Sequence, residues 1–197
     1  MRGKLPQKCK SVFEDEEAAL RVGFRLKSIS PQKVVLIGPM GAGKTTLGKI
    51  LAQRLGWPYI DNDSEMSALT GLTQEELSTL PVEELHQLES RYLVNLCERP
   101  APFVGGAAGS VVDDAINMEI LKTVMPIYLR IPLDEVVSRA GVEGIGRRNI
   151  LTDFEEVLTS RFQRRDPVYK AVAKFVLELS DNPTQDCASI LSFLEGK

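Results

Sequence analysis

Cysteine is scarce in this 197-residue chain: Cys9, Cys97 and Cys187 are far apart, and none has the paired spacing of a metal site. An odd count without pairing suits reduced thiols and argues against a disulfide framework or structural zinc. Basic excess is missing too. A formal net charge of -3 gives no electrostatic footprint for nucleic acid. No apolar run approaches the length needed to cross a bilayer, and the N-terminus shows no signal-peptide hydrophobic region. Internal repeats and low-complexity segments are also lacking. These absences leave a soluble cytoplasmic protein, expected to be monomeric and to bind neither nucleic acid nor membrane. With 43% hydrophobic and 26% charged residues, the chain is long enough for one well-packed domain and too short for two of ordinary size.

What is present is concentrated at residues 38 to 45. Gly-Pro-Met-Gly-Ala-Gly-Lys-Thr follows directly on the apolar run Val34-Val35-Leu36-Ile37, and helical spacing begins at once after it. Gly38, four residues, then Gly43-Lys44-Thr45 is the spacing of a phosphate-binding loop between a buried strand and a helix. Main-chain N–H groups of Gly41, Ala42, Gly43, Lys44, Thr45 and Thr46 would cradle the phosphates, and the helix N-terminus adds its positive dipole end. Lys44 would reach the β- and γ-phosphates, and the Thr45 hydroxyl is the natural Mg²⁺ ligand. ATP and Mg²⁺ are therefore the expected cofactors.

The remaining chain alternates short apolar strands with helical patterns. Residues 1–31, with basic residues followed by Glu14-Asp15-Glu16-Glu17, read as an extension ahead of a kinase domain spanning 32–197. Strands are expected at 34–37, 58–61, 102–104, 127–131 and 175–179. Helices are expected at 45–55, from Pro81 to before Pro100, and at 113–122, 134–139, 153–164 and 185–194. Thr73-x-x-Glu76 reads as a capping box opening a further short helix. Strands separated by helices imply right-handed crossovers, hence an α/β fold with a central parallel sheet, five strands here, covered by helices on both faces.

Three further groups suit phosphoryl transfer. Asp61-Asn62-Asp63 falls at the carboxyl end of the second strand, where open α/β sheets place ligands. One carboxylate there would hold Mg²⁺ through water and the other would face an acceptor hydroxyl, unless Asp63 or Ser64 merely caps the following helix. Residues 141–153 carry Gly141, Gly144, Gly146, Arg147 and Arg148, as a glycine-hinged mobile lid would. Arg164-Arg165-Asp166-Pro167 is expected to close a helix, with arginines that the dipole favours or that face an anionic acceptor.

Together GPMGAGKTTLGKILAQRL, the Asp-x-Asp of YIDND, Thr70-Gly71 and RRDPVY resemble the shikimate kinase family, small P-loop kinases of the nucleoside-monophosphate-kinase fold. The resemblance runs from Lys33 to nearly the end of the chain. It implies transfer of the ATP γ-phosphoryl group to the shikimate 3-hydroxyl. It also implies that Asp61 orients the Mg²⁺ shell, Asp63 contacts the acceptor hydroxyl and Arg139 lies along adenine, with Asn182-Pro183 at the adenine loop. Arg148 would be the lid arginine acting with Lys44 and Asp63 in catalysis, and Arg165 would bind the acceptor carboxylate. Departures cluster on the acceptor side. Where the family has Phe-Arg-Arg-x-Glu, this chain has Leu85-His86-Gln87-Leu88-Glu89, so His86 replaces the arginine that clamps the carboxylate while Glu89 is retained. Losing such a charge-assisted hydrogen bond is worth about 1.5–3 kcal/mol. The family's Gly-Gly-Gly wall falls on Ala107-Ala108-Gly109 without a gap, or on Gly105-Gly106-Ala107 with one. Arg148-Asn149 stands where Arg-Pro is usual. These changes leave room for another hydroxylated acceptor, or for a nucleotide-binding regulatory module with weakened turnover.

Overall fold

Five short apolar runs become β1 (Lys33–Ile37), β2 (Tyr59–Ile60), β3 (Phe103–Gly106), β4 (Met125–Arg130) and β5 (Phe175–Glu178). The computed structural model describes residues 32–143 and 154–196, and within it the strands form one sheet in the order β2-β3-β1-β4-β5. Every neighbouring pair is parallel, as expected. Residues 1–31 and the rest of the segment expected as a lid, 144–153 with Arg148, lie outside the described residues.

Parallel neighbours need crossovers, and helices supply them. They are α1 (Lys44–Leu55), α2 (Asn62–Thr70), α3 (Gln74–Ser78), α4 (Val82–Glu98), α5 (Ala115–Leu121), α6 (Leu133–Glu143), α7 (Phe154–Val172) and α8 (Pro183–Leu194). The central strand shows why both faces are covered. Val35 and Ile37 pack with Leu85, Leu88 and Tyr92 of α4 and Tyr169 of α7. The alternate residues Val34 and Leu36 pack with Leu47 and Leu51 of α1 and Ile190 of α8. None of these four β1 side chains reaches solvent. Among the described residues no helix is long and apolar enough to cross a membrane.

Four expectations need correction. β3 does not stop at Val104, because Gly105 and Gly106 continue the ladder opposite Val35 and Leu36. The segment expected as one helix from 113 is split: a 3₁₀ turn (Val111–Asp113) comes first, and Asp114 then caps α5 by accepting from the Ile116 amide at 2.6 Å. Residues 141–143 form the last turn of α6 rather than the start of a loop. The fourth is the helix expected to close at Arg164-Arg165-Asp166-Pro167, which runs on to Val172 with Pro167 inside it.

Proline removes one intrahelical bond and crowds the preceding turn, so something must hold the last part of α7 in place. Asp166 and Tyr169 do this. The Asp166 carboxylate accepts from the Tyr128 hydroxyl at 2.8 Å and Arg130 Nε at 2.7 Å, and pairs with Lys170 at 2.7 Å. Tyr169 stacks on Tyr128 with ring centroids 4.8 Å apart. Tertiary contacts thus override the local stop signal. Burial by itself would raise the Asp166 carboxyl, but bonds from Lys170, Arg130 and Tyr128 bring it below the usual carboxylate range. A depressed folded-state pKa stabilises the fold at pH values above the unfolded value of about 3.9, and that contribution is lost as pH falls through the folded value. Asp166→Ala should lower the unfolding free energy by about 2–3 kcal/mol at neutral pH. In urea denaturation, the gap between variant and wild type should shrink on acidification below about pH 4.

Candidate active site

The loops after β1, β2 and β3 meet at the carboxyl rim of the sheet, beside the point where strand order reverses, and line one cleft with α4, α6, α7 and α8. Its nucleotide side begins at Gly38. With φ at 144°, a Cβ there would lie 2.6 Å from the Leu129 carbonyl oxygen, so only bare backbone can make this passage. Gly43, left-handed at φ 71°, then turns the chain into α1. Side chains cap α2, α3 and α8, from Asp61, Thr73 and Asn182 respectively, but no side chain caps α1. Its first-turn amides therefore present a positive end suited to an anion. Lys44 spans the loop, donating to the carbonyls of Gly38 at 2.9 Å and Pro39 at 2.7 Å. Arg139 of α6 lies against the same loop, donating to the Gly41 carbonyl at 3.3 Å while pairing with Glu135 at 2.6 Å. Pro183 opens α8 at the far side, where buried Asp186 shapes the preceding loop by accepting from the Ser180 hydroxyl at 2.8 Å.

Asp61 joins the two halves. Its Oδ1 accepts from the amides of Asp63 and Ser64 at 3.1 and 3.2 Å, so Asp61, rather than Asp63 or Ser64, is the helix cap. Its Oδ2 accepts from the Thr45 hydroxyl at 3.0 Å and the Tyr59 hydroxyl at 3.4 Å. Burial, reinforced by the acidic charges of Asp61 and Asp63, pushes the Tyr59 hydroxyl up to about 12, despite an opposing bond from Thr45. It stays a neutral donor toward Asp61. Asp63, with no capping duty, lines the cleft two residues beyond, accepting from the Asn62 side chain at 3.0 Å.

The far wall carries the acceptor-side candidates. His86 and Glu89 stand one turn apart on α4, and buried Glu89 accepts from the Ser110 hydroxyl. Gly106, Ala107, Ala108, Gly109 and Ser110 line the cleft, whereas Gly105 faces the Leu96 side chain, 2.8 Å from where its Cβ would be. Ala107 and Ala108 also belong to the buried apolar cluster with Val35, Ile37 and Tyr169, so their methyls serve core packing as well as the wall. The Tyr169 hydroxyl donates to the Gly109 carbonyl at 2.5 Å. Arg165 of α7 is paired with Asp113 through Nε at 3.0 Å and Nη2 at 2.5 Å.

Of the residues expected from sequence, the loop from Gly41 to Thr46, Asp61, Asp63, His86, Glu89, Ala107, Ala108, Gly109, Arg139, Arg165 and Pro183 all line this cleft. Arg148 is outside the described residues. Asp113, Gln74, Ser110 and Arg161 also line it and were not foreseen. No motif marks them. They arrive through packing of the 3₁₀ turn, α3 and α7.

A polyphosphate cradle at one end of a cleft, faced by acids and arginines at the other, is built to move a phosphoryl group between bound molecules, which defines a P-loop kinase. A family model described as shikimate kinase matches residues 40–195. Shikimate kinases from Neisseria gonorrhoeae and Alteromonas mediterranea are 31% and 28% identical over 147 and 161 residues, covering 74% and 80% of this chain and 86% and 93% of theirs. A solved structure, shikimate kinase from Acinetobacter baumannii in complex with shikimate, has a TM-score of 0.74 at 30% identity, covering 83% of this chain and 92% of that one. The chain belongs to the shikimate kinase family, and is an ATP-dependent phosphotransferase with an alcohol acceptor.

One contact tests how the wall is held. Tyr169→Phe leaves the Gly109 carbonyl without its hydroxyl donor and should lower the unfolding free energy by about 1–2 kcal/mol in urea titration, with the stack on Tyr128 retained.

Proposed function

We propose that the acceptor is shikimate, that Mg²⁺ assists, and that the residues of the cleft divide the work as follows. The observation that carries the metal assignment is the 3.0 Å contact between the Thr45 hydroxyl and Oδ2 of Asp61, the oxygen not used in capping, beside the phosphate loop. Both are hard oxygen donors, one neutral and one anionic. Among the described residues no group of three or more His, Cys, Asp or Glu could hold a metal. Few protein ligands beside a phosphate cradle suit Mg²⁺, which keeps several waters and shares phosphate oxygens. Bound there, Mg²⁺ neutralises charge on the phosphate oxygens.

The main-chain amides from Gly41 to Thr46 and the Lys44 ammonium hold the triphosphate, with Arg139 and Pro183 flanking the adenine. Asp63 orients the acceptor hydroxyl and receives its proton as the oxygen attacks. Lys44, with Arg148 from a lid over residues 144–153, stabilises charge on the transferring group. Arg165, with Glu89, His86 and the wall from Ala107 to Gly109, positions the acceptor. Phosphoryl transfer asks little covalent work of the protein, so alignment supplies most of the rate. The working unit is a monomeric, cytoplasmic kinase domain, residues 32–197, behind an extension of residues 1–31, with no nucleic-acid or membrane partner.

A coupled ADP-release assay with shikimate and a panel of polyols and hydroxy acids tests the reading. Shikimate should be turned over, and Asp63→Asn should lower kcat about 10²–10⁴-fold, the range for loss of a positioned base. Activity confined to another acceptor would overturn the assignment. His86→Arg, by restoring a charged donor worth about 1.5–3 kcal/mol, should lower the KM for shikimate by about tenfold or more. An unchanged or higher KM would count against an acceptor-facing role for residue 86.

A further inference from the structure

We infer that Asp113 is a built-in rival carboxylate: it occupies Arg165 and must be displaced before an acceptor's carboxylate can bind, so the pocket gains little from a carboxylated acceptor. This rests on Arg165 being the acceptor-carboxylate residue, as proposed above.

The pairing has the geometry a substrate carboxylate would take. Asp113 offers Oδ1 to Arg165 Nε at 3.0 Å and Oδ2 to Arg165 Nη2 at 2.5 Å, the two-pronged fork by which guanidinium recognises a carboxylate. Arg164 adds a third bond to Oδ2 at 3.2 Å. The side chains of Arg165 and Asp113 are only 15% and 23% exposed, whereas that of Arg164 is 64% exposed. Arg164 is thus able to turn to solvent, while Arg165 stays held.

Asp113 is fixed in place. It ends the 3₁₀ turn whose Val111 and Val112 are buried, its amide donates to the Ser110 carbonyl at 2.8 Å, and the next residue caps α5. The anchored turn therefore keeps the Asp113 carboxylate within reach of Arg165, so an incoming carboxylate has to compete with it. Burial would raise this carboxyl, but the bond from Arg165 and the charges of Arg165, Arg164 and His86 hold it below the usual range. It is an anion wherever the enzyme would work.

The surrounding charge adds to the effect. Asp63, Glu89, Asp113 and Glu156 line the same cleft as Arg161, Arg164 and Arg165, with His86 also on its wall. An incoming carboxylate therefore meets arginines already answered by an acid of the chain itself.

Steady-state kinetics with shikimate and its methyl ester, which keeps the hydroxyls and lacks the charge, test the inference. Wild-type KM values for the two should lie within about threefold. In Asp113→Asn the KM for shikimate should fall about tenfold, the equivalent of about 1.4 kcal/mol, while the ester's KM changes less than twofold. A wild-type preference for the free acid above about tenfold, or a higher shikimate KM in Asp113→Asn, would overturn it. The first would mean that Asp113 releases Arg165 without cost, and the second that it orients Arg165 for the acceptor. The wild-type comparison needs no substitution and reads out even if the variant unfolds. Turnover of neither compound by wild type would instead refute the acceptor assignment. Calorimetric titration of both compounds with ADP present then decides the competition by the same ratios in Kd, and no binding of either would sink both ideas.

Discussion

Where β1 ends, the chain passes so close to the Leu129 carbonyl that a side chain at position 38 would stand 2.6 Å from its oxygen. The nucleotide half of the cleft depends on this close approach. It lets the main chain fold over the rim beyond the buried strand β1, brings Lys44 across the loop to the carbonyls of Gly38 and Pro39, and starts α1 without a side-chain cap. Amides that would be a liability at an ordinary helix start become an anion cradle here, because loop and helix converge on one point. The nearby Thr45–Asp61 contact draws on the same placement, since Thr45 rides on the first turn of that helix.

The acceptor half follows a different logic. Its wall is built from small residues that also pack the core, from a buried glutamate tied to Ser110, and from arginines already engaged by the protein's own acid. His86 stands where the resemblance implies a clamp arginine, and Arg165, the proposed carboxylate residue, meets a carboxylate within the chain. These features point the same way, toward a pocket whose selectivity relies on hydroxyl placement by Asp63 more than on the pull of a cation. The proposed grip on the phosphate donor comes from fixed backbone. The acceptor is received by side chains whose charges already answer one another.

How far local pattern reached depended on whether a feature is governed by neighbours in sequence. The phosphate loop, the Thr73–Glu76 capping box and the inward face of α4 at Leu85, Leu88 and Tyr92 were legible because each is set by residues a few positions apart. The C-terminal end of α7 was not. Pro167 is a local stop signal, and it is overridden by Tyr128 and Arg130, which reach Asp166 from a strand distant in sequence. Asp61 was anticipated at the rim, yet its double duty as helix cap and partner of Thr45 needed the two loops to meet. Asp113 carried no signal at all, standing after two valines in a segment expected to be plain helix.

By itself the sequence determined an α/β P-loop kinase with its phosphate cradle and its paired acids just after the second strand, because glycine spacing and hydrophobic period act over a few residues. Only the tertiary structure decided which charges face one another across the acceptor pocket. Pairing between Arg165 and Asp113, 52 positions apart, depends on how a 3₁₀ turn and a helix pack on the same face of the sheet, and no local rule encodes that distance.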